Sequence, residues 1–111
     1  MRLVIDWNNP CLDDEQIVSI TLSDLDDFYA DAASIDQLNL FFVLLNTCAQ
    51  AQERGERVVE ARLCYLMAYY LFVPLTPPGA QPLAQRCIDR AVELVPCPEY
   101  RDWQRIISEG N

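Results

Sequence analysis

The clearest hydrophobic pattern lies between residues 84 and 95, where apolar side chains recur every three or four positions and polar residues fill the opposite face. The apolar positions are Ala84, Cys87, Ile88, Ala91, Val92 and Val95. This spacing predicts an amphipathic helix with one face to bury. Pro82 suits the first turn of that helix, and Pro96 ends it because the residue before a proline avoids helical geometry.

The segment before this helix is apolar on nearly every side. From Leu63 to Val73 the polar positions are essentially three tyrosines, Tyr65, Tyr69 and Tyr70. Such a helix must be covered on more than one side, and the run is shorter than the roughly 20 residues of a membrane span. We therefore predict a central core helix. A stiff turn of three prolines and a glycine follows it at residues 74–79.

A third helix is predicted from Ser34 to about Arg54. Ser34 and Gln37 have the spacing of a capping box, and Gly55 suits the left-handed residue that follows a helix. The short joint at Gly55 makes this helix and the central helix antiparallel neighbours. Leu40 to Leu45 is an unbroken apolar run. Together the two helices carry more apolar surface than a three-helix hairpin hides.

The first 22 residues predict either a short β-hairpin or an irregular arm. Residues 3–7 and 17–22 are rich in β-branched and apolar side chains, with a turn signal at Asn8-Asn9-Pro10 between them. Two strands alone are marginally stable, so a hairpin has to lie on the helices or on another subunit. In the alternative, an arm without strands packs Trp7 against the helices.

Two further helices complete the predicted fold. Ser23 caps a short acidic helix, which lacks the glycine and the closing glutamate of a calcium loop. Pro98 opens a last helix ended by Gly110, with one apolar side formed by Tyr100, Trp103, Ile106 and Ile107. The predicted fold class is mainly α, with antiparallel helical hairpins in a single domain over residues 1–111. Residues 1–22 form its arm or hairpin, and residues 23–111 its helical part.

The charge is acidic and uneven. Seventeen Asp and Glu oppose eight Arg, for a net charge of −9, and most of the excess lies in residues 1–36. This surface repels phosphates and anionic lipid, so we expect no nucleic-acid and no membrane partner. Lysine and histidine are absent. Their absence excludes Schiff-base and P-loop lysines, Ser-His and Cys-His dyads, and metal sites that need histidine.

The five cysteines indicate reduced thiols rather than a disulfide framework or a zinc site. Their number is odd, no CxxC pair occurs, and Cys48, Cys64 and Cys87 fall inside helical patterns. The apolar run between Met1 and Ile5 is too short for a signal peptide. We therefore expect a cytoplasmic protein without a metal or other cofactor.

The pattern Ala84-x-x-x-Ile88-x-x-Ala91, with Pro96 after it, resembles the second helix of a tetratricopeptide repeat. A looser match, Ala61-x-x-x-Tyr65-x-x-Ala68 with Pro74, begins 23 residues earlier instead of the roughly 34 of that repeat. The Trp, Leu-Gly and Tyr of the repeat's first helix are not found at their spacing. The resemblance covers at most residues 36–109, and it implies protein binding in an inner groove. Carried over by position, the groove residues are Arg57, Glu60, Arg62, Tyr65 and Tyr69.

We expect a non-enzymatic protein-interaction module, an adaptor or a small assembly subunit, which forms a homo-oligomer through its surplus apolar surface. The alternative is an acidic inhibitor, immunity-type or chaperone protein that covers a basic surface on its target. Its contacts would come from residues 13–36, with Asp24, Asp26, Asp27 and Asp31 as candidates. A third hypothesis is an enzyme that uses the carboxylates of Asp26 and Asp27 or a thiolate nucleophile. The sequence places no convergent groups around either of them.

Overall fold

The computed structural model describes residues 3–110, and every regular element in that range is helical. The α-helices are α1 Asp14–Ser19, α2 Leu22–Asp31, α3 Ser34–Glu53, α4 Arg57–Tyr70, α5 Ala80–Leu94 and α6 Pro98–Glu109, and a π-helical segment, Leu71–Leu75, continues α4. This confirms the mainly α fold class. Residues 1, 2 and 111 of the predicted domain lie outside the described residues. The start of the Met1–Ile5 run therefore lies outside them too.

The predicted N-terminal β-hairpin is wrong. Residues 3–13 contain no strand, and the second predicted strand is divided between α1 and α2. Two capping boxes explain this outcome. Asp13 and Gln16 bond reciprocally at the start of α1, and Thr21 and Asp24 do the same at the start of α2. Each box satisfies backbone N–H groups at a helix start, and this outweighs the strand propensity of the β-branched residues between them.

Residues 3–13 form the arm of the alternative prediction. The ring of Trp7 meets that of Phe28 on α2 edge-on, with centroids 6.4 Å apart. Further along the arm, the Leu12 N–H donates to Thr47 Oγ1 over 3.1 Å. Asn46 Nδ2 donates to the Pro10 carbonyl oxygen over 3.2 Å. These contacts hold the arm against α2 and α3.

α4 is the central helix, as predicted. Every residue from Leu63 to Phe72 is buried. Helices α1, α2, α3 and α5 all contact α4. The buried apolar side chains form one cluster, and the Cα radius of gyration of 13.0 Å is close to the ~13 Å of a compact domain of about 100 residues.

The helices from α3 onward pair in an antiparallel manner. At one end of the α3–α4 pair the Tyr70 hydroxyl donates to the Gln37 carbonyl, and towards the other end Cys48 lies against Cys64. Gln81 on α5 bonds the Ile107 carbonyl on α6 at 3.1 Å, while Gln104 on α6 reaches back to Asp89 on α5 at 3.0 Å. In both pairs the start of one helix contacts the end of the other, which makes the two helices antiparallel.

The turn after α4 begins later than predicted. Pro74 lies inside the π-helical segment, where the Thr76 N–H donates to the Leu71 carbonyl over 3.1 Å. Since proline has no N–H, the α-helical bond at this position is lost and the wider turn replaces it. Thr76 and Gly79 then adopt left-handed conformations, with φ of 43° and 77°, and α5 follows.

Several predicted helix ends are confirmed. Gly55 is left-handed with a φ of 69° after α3, Val95 is extended before Pro96, and Gly110 follows α6. The predicted capping box of α3 is not formed. Ala33 occupies the cap position, and the Gln37 side chain donates instead to the Tyr29 carbonyl at 2.7 Å, which ties α3 to α2.

One helix among the described residues is long and apolar enough to cross a membrane when judged by length and composition alone. It is Arg57–Leu75, α4 with its π-helical continuation, and the mean hydropathy of its most apolar window is 1.4. In the folded chain 67% of that window is buried. Burial by surrounding helices is what an all-apolar core helix requires.

Replacing Leu66 by alanine tests the central role of α4. The Leu66 side chain is fully buried, so we expect its truncation to lower the free energy of unfolding by about 2–5 kcal/mol through lost burial and a residual cavity. Leu83→Ala on α5, where the leucine is 43% exposed, is the matched control and should cost a small fraction of that. Urea unfolding monitored by circular dichroism measures both. Equal losses would contradict the assignment of α4 as the core.

Candidate functional site

The groove residues predicted on the central helix lie mostly inside the protein. Glu60, Tyr65 and Tyr69 are 5%, 1% and 7% exposed. Arg62 is half-buried, and Arg57 alone of the five is exposed. Neighbouring helices cover α4 from Leu63 onward, whereas an open groove at its start is lined by Val58, Val59 and Arg62. The expectation that this group is exposed is therefore wrong for Glu60, Tyr65 and Tyr69.

The two tyrosines tie α4 to its neighbours. The Tyr69 hydroxyl donates to both carboxylate oxygens of Asp26 on α2, at 2.8 and 2.9 Å, and its ring meets Trp103 on α6 edge-on at 5.1 Å. Burial, and then the bond to Asp26, raise the pKa of Tyr69 to about 12, so its hydroxyl remains a donor. The Tyr65 ring packs on Tyr100 of α6 with centroids 4.8 Å apart.

The buried carboxylate of Glu60 has a fixed partner. Arg90 Nε on α5 donates to Glu60 Oε2 at 2.9 Å, and the same guanidinium bonds Glu93 at 2.8 Å. The hydrogen bond to Glu60 raises the pKa of Arg90. Arg62 donates to the Ile20 carbonyl just after α1. These charged groups link helices and stabilise the packing around α4.

Two cysteines meet in the core. The Sγ atoms of Cys48 on α3 and Cys64 on α4 lie 3.7 Å apart, and both residues are buried. The hydrogen bond between the thiols, and then burial, raise the pKa of Cys64, and burial raises that of Cys87 to about 11. All five cysteines are free. Residues 3–110 contain no group of three or more Cys, Asp or Glu side chains arranged to hold a metal ion.

The four aspartates predicted as partner contacts on α2 have different environments. Asp24 is buried within the capping box at the start of α2, and Asp26 accepts the hydroxyl of Tyr69. Asp27 and Asp31 are exposed and line an open cleft of about 200 Å³ between the arm and the helices. We call this the acidic cleft and define it by Trp7, Asp27, Phe28, Asp31 and Asp36.

A row of exposed apolar residues, which the sequence pattern did not identify, lies along the outside of α3. Ile35, Leu38, Phe42 and Leu45 are 63%, 42%, 54% and 44% exposed, and exposed Ala49 continues the row. Alternating spacings of three and four place these side chains on one side of the helix. We call these five residues the α3 stripe. The heptad spacing of these residues is visible in the sequence. Because Leu40 to Leu45 are all apolar, the spacing does not show which side of α3 is buried.

The middle of α3 carries no charge, whereas Asp36 at its start lines the groove beside the α3 stripe. No charged residue occurs from Gln37 to Gln52, although 23% of the whole chain is charged. Exposed apolar and aromatic side chains with few charges are typical of the core of a protein interface. An open groove of about 700 Å³ runs beside the stripe, and Trp7, Pro10, Asn39, Phe42 and Asn46 are among its lining residues.

No family model matches the sequence, and comparison with curated proteins and with solved structures finds no significant similarity. The candidate binding surfaces include the α3 stripe with its groove and the acidic cleft.

Asp24 predicts a specific pH dependence of stability. The hydrogen bond from the Thr21 backbone N–H holds the pKa of the Asp24 carboxyl below its ordinary value. The carboxylate therefore contributes stability above the unfolded pKa of about 3.9, and that contribution is lost as the pH falls through the lower folded pKa.

The Asp24→Asn variant keeps an acceptor for the Thr21 N–H but removes the charge. We expect it to be less stable than the parent near neutral pH, with the difference shrinking as the pH drops below about 4. Urea unfolding across an acidic pH series measures the difference. Two parallel stability curves would contradict this role of Asp24.

Proposed function

We propose that this protein is a non-enzymatic protein-interaction module, an adaptor or small assembly subunit, and that the α3 stripe is its binding surface. The observation that carries this proposal is the row of exposed apolar side chains on a helix that lacks charge from Gln37 to Gln52. A row of exposed apolar side chains on one side of a helix marks an association site. A partner that covers the row removes Phe42 and its neighbours from water.

A protein is a better occupant of this surface than a lipid membrane. Helices that lie on membranes usually carry basic residues on their polar face, and α3 has none between Gln37 and Gln52. Anionic lipid also repels a chain with a net charge of −9. We therefore propose a protein partner, and neither a nucleic-acid nor a membrane partner. The five free cysteines favour a reducing, cytoplasmic setting.

The likeness to tetratricopeptide repeats remains part of this proposal. The antiparallel pairing of α3 with α4 and of α5 with α6 supports a helical-hairpin architecture. The proposed binding surface differs from the one that the resemblance implies, because α4 is buried and α3 carries the exposed apolar row. Arg57, at the exposed start of α4, remains a candidate partner contact.

A matched pair of variants tests the α3 stripe. Leu45 on α3 and Leu83 on α5 are exposed to nearly the same extent, 44% and 43%. We expect Leu45→Glu to abolish the capture of a specific protein from extracts of the source cells, because a charge in an apolar interface is costly to bury. Leu83→Glu should retain that protein. If no captured protein distinguishes the two variants, the stripe is not the binding surface.

A second candidate function is an acidic protein, of inhibitor, immunity or chaperone type, that covers a basic surface on its target. The acidic cleft favours it, because Asp27, Asp31 and Asp36 surround a concave site that also contains the rings of Trp7 and Phe28. A guanidinium group in this cleft can pair with carboxylates and pack on an aromatic face. Binding of this kind depends on ionic strength.

An arginine-rich peptide probes the acidic cleft directly. We expect it to change the fluorescence of Trp7 at low salt, and we expect the change to be lost at high salt and in the double variant Asp27→Asn/Asp31→Asn. The double variant Asp13→Asn/Asp14→Asn changes the net charge by the same amount at another exposed site, and it should retain binding. Equal loss in both double variants would indicate general charge attraction and contradict a specific site.

A further inference from the structure

The α3 stripe has the spacing by which helices pack against copies of themselves. Ile35, Leu38, Phe42, Leu45 and Ala49 occupy alternating a and d positions of a heptad. Under a two-fold axis one patch meets the same patch of another subunit, so a single self-complementary row is enough to form a dimer. If the two helices are antiparallel and the axis passes between Phe42 and Leu45, Phe42 of one copy lies opposite Leu45 of the other.

We propose that the α3 stripe binds the α3 stripe of a second copy of this chain, with the two α3 helices antiparallel. This inference rests on the proposed function and names the partner of its binding surface. A net charge of −9 makes two copies repel each other over most of their surfaces. The stretch from Gln37 to Gln52 carries no charge, so along the middle of α3 apolar contact meets no like charge on the helix itself, while Asp36 lies at one end of the stripe.

The charges at the two ends of α3 favour the antiparallel arrangement. Asp27, Asp31 and Asp36 lie together near the start of α3. Arg54 and Arg57 follow its end, where two glutamates balance them. A parallel pair brings two groups of three aspartates together, and like charges at an interface are costly. An antiparallel pair instead places each acidic group near the end of the other α3, where the charges balance, and it also opposes the helix dipoles.

The size of the surface indicates a reversible dimer. α3 has 20 residues and is therefore about 30 Å long, so a helix about 10 Å wide offers a strip of roughly 300 Å². A standard interface buries about 800 Å² on each partner. Trp7 extends the strip, because it is 42% exposed and lines the groove next to Phe42. We expect a weak dimer that dissociates on dilution.

Sedimentation velocity from low to high micromolar concentration tests the dimer. The parent chain should shift from monomer to dimer with a concentration-dependent sedimentation coefficient. Leu45→Glu should weaken the dimer by about tenfold or more, as expected for a central interface residue, while Leu83→Glu should leave it unchanged. Circular dichroism of all three proteins establishes that each variant is folded.

A pair of opposite charges tests the orientation. With the axis between Phe42 and Leu45, Leu38 of one copy faces Ala49 of the other. Leu38→Lys and Ala49→Glu should each weaken the dimer, and the double variant should bind several-fold more tightly than the Ala49→Glu single variant. In a parallel dimer each introduced charge faces the identical charge on the other copy. The double variant should then dimerise more weakly than either single variant.

The outcomes separate this inference from the proposed function. A parent chain that remains monomeric over the whole concentration range overturns the second copy as partner. A Leu45-dependent captured protein would in that case still support the interaction module. A dimer that Leu45→Glu and Leu83→Glu weaken equally overturns the stripe as its interface. A double charge variant weaker than both single variants overturns the antiparallel arrangement.

Discussion

From Leu63 onward α4 has no polar side to turn toward water. Every residue from Leu63 to Tyr70 is buried, and exclusion of this apolar surface from water is the main favourable contribution to folding. The tyrosines are compatible with such burial because their hydroxyls have partners, Asp26 for Tyr69 and the Gln37 carbonyl for Tyr70. Within residues 3–110 no buried side-chain nitrogen or oxygen lacks a hydrogen bond, so the core avoids the cost of unsatisfied polar groups.

The covering of α4 leaves α3 with a second apolar side. In the run from Leu40 to Leu45, Leu40, Val43 and Leu44 are buried, whereas Phe42 and Leu45 are exposed. A helix can turn only one side toward a given neighbour, so residues on the other side need a different cover. The arm covers part of it near Thr47 and Asn46. The hypothesis of an interaction module follows from this incomplete cover of α3.

The acidity of the first third of the chain is divided between structure and surface. Asp13 and Asp24 complete capping boxes, and Asp26 accepts the hydroxyl of a core tyrosine. Asp27 and Asp31 remain on the surface beside the aromatic rings of the acidic cleft. Residues that look alike in the sequence therefore have different roles, because each role depends on which group the neighbouring helix presents.

The elements that depend on nearby residues were predictable from the amino-acid sequence. The amphipathic spacing of α5, its end before Pro96 and the left-handed Gly55 are local features, since helix ends are set within a few positions. The capping boxes at Asp13 and Thr21 were also present in the sequence, but the β-branched residues after them favoured the wrong prediction. The burial of Glu60, Tyr65 and Tyr69 and the exposure of the α3 stripe follow from the packing of the helices. Burial depends on side chains far apart along the chain, and no local pattern specifies which side of an apolar helix its neighbours will cover.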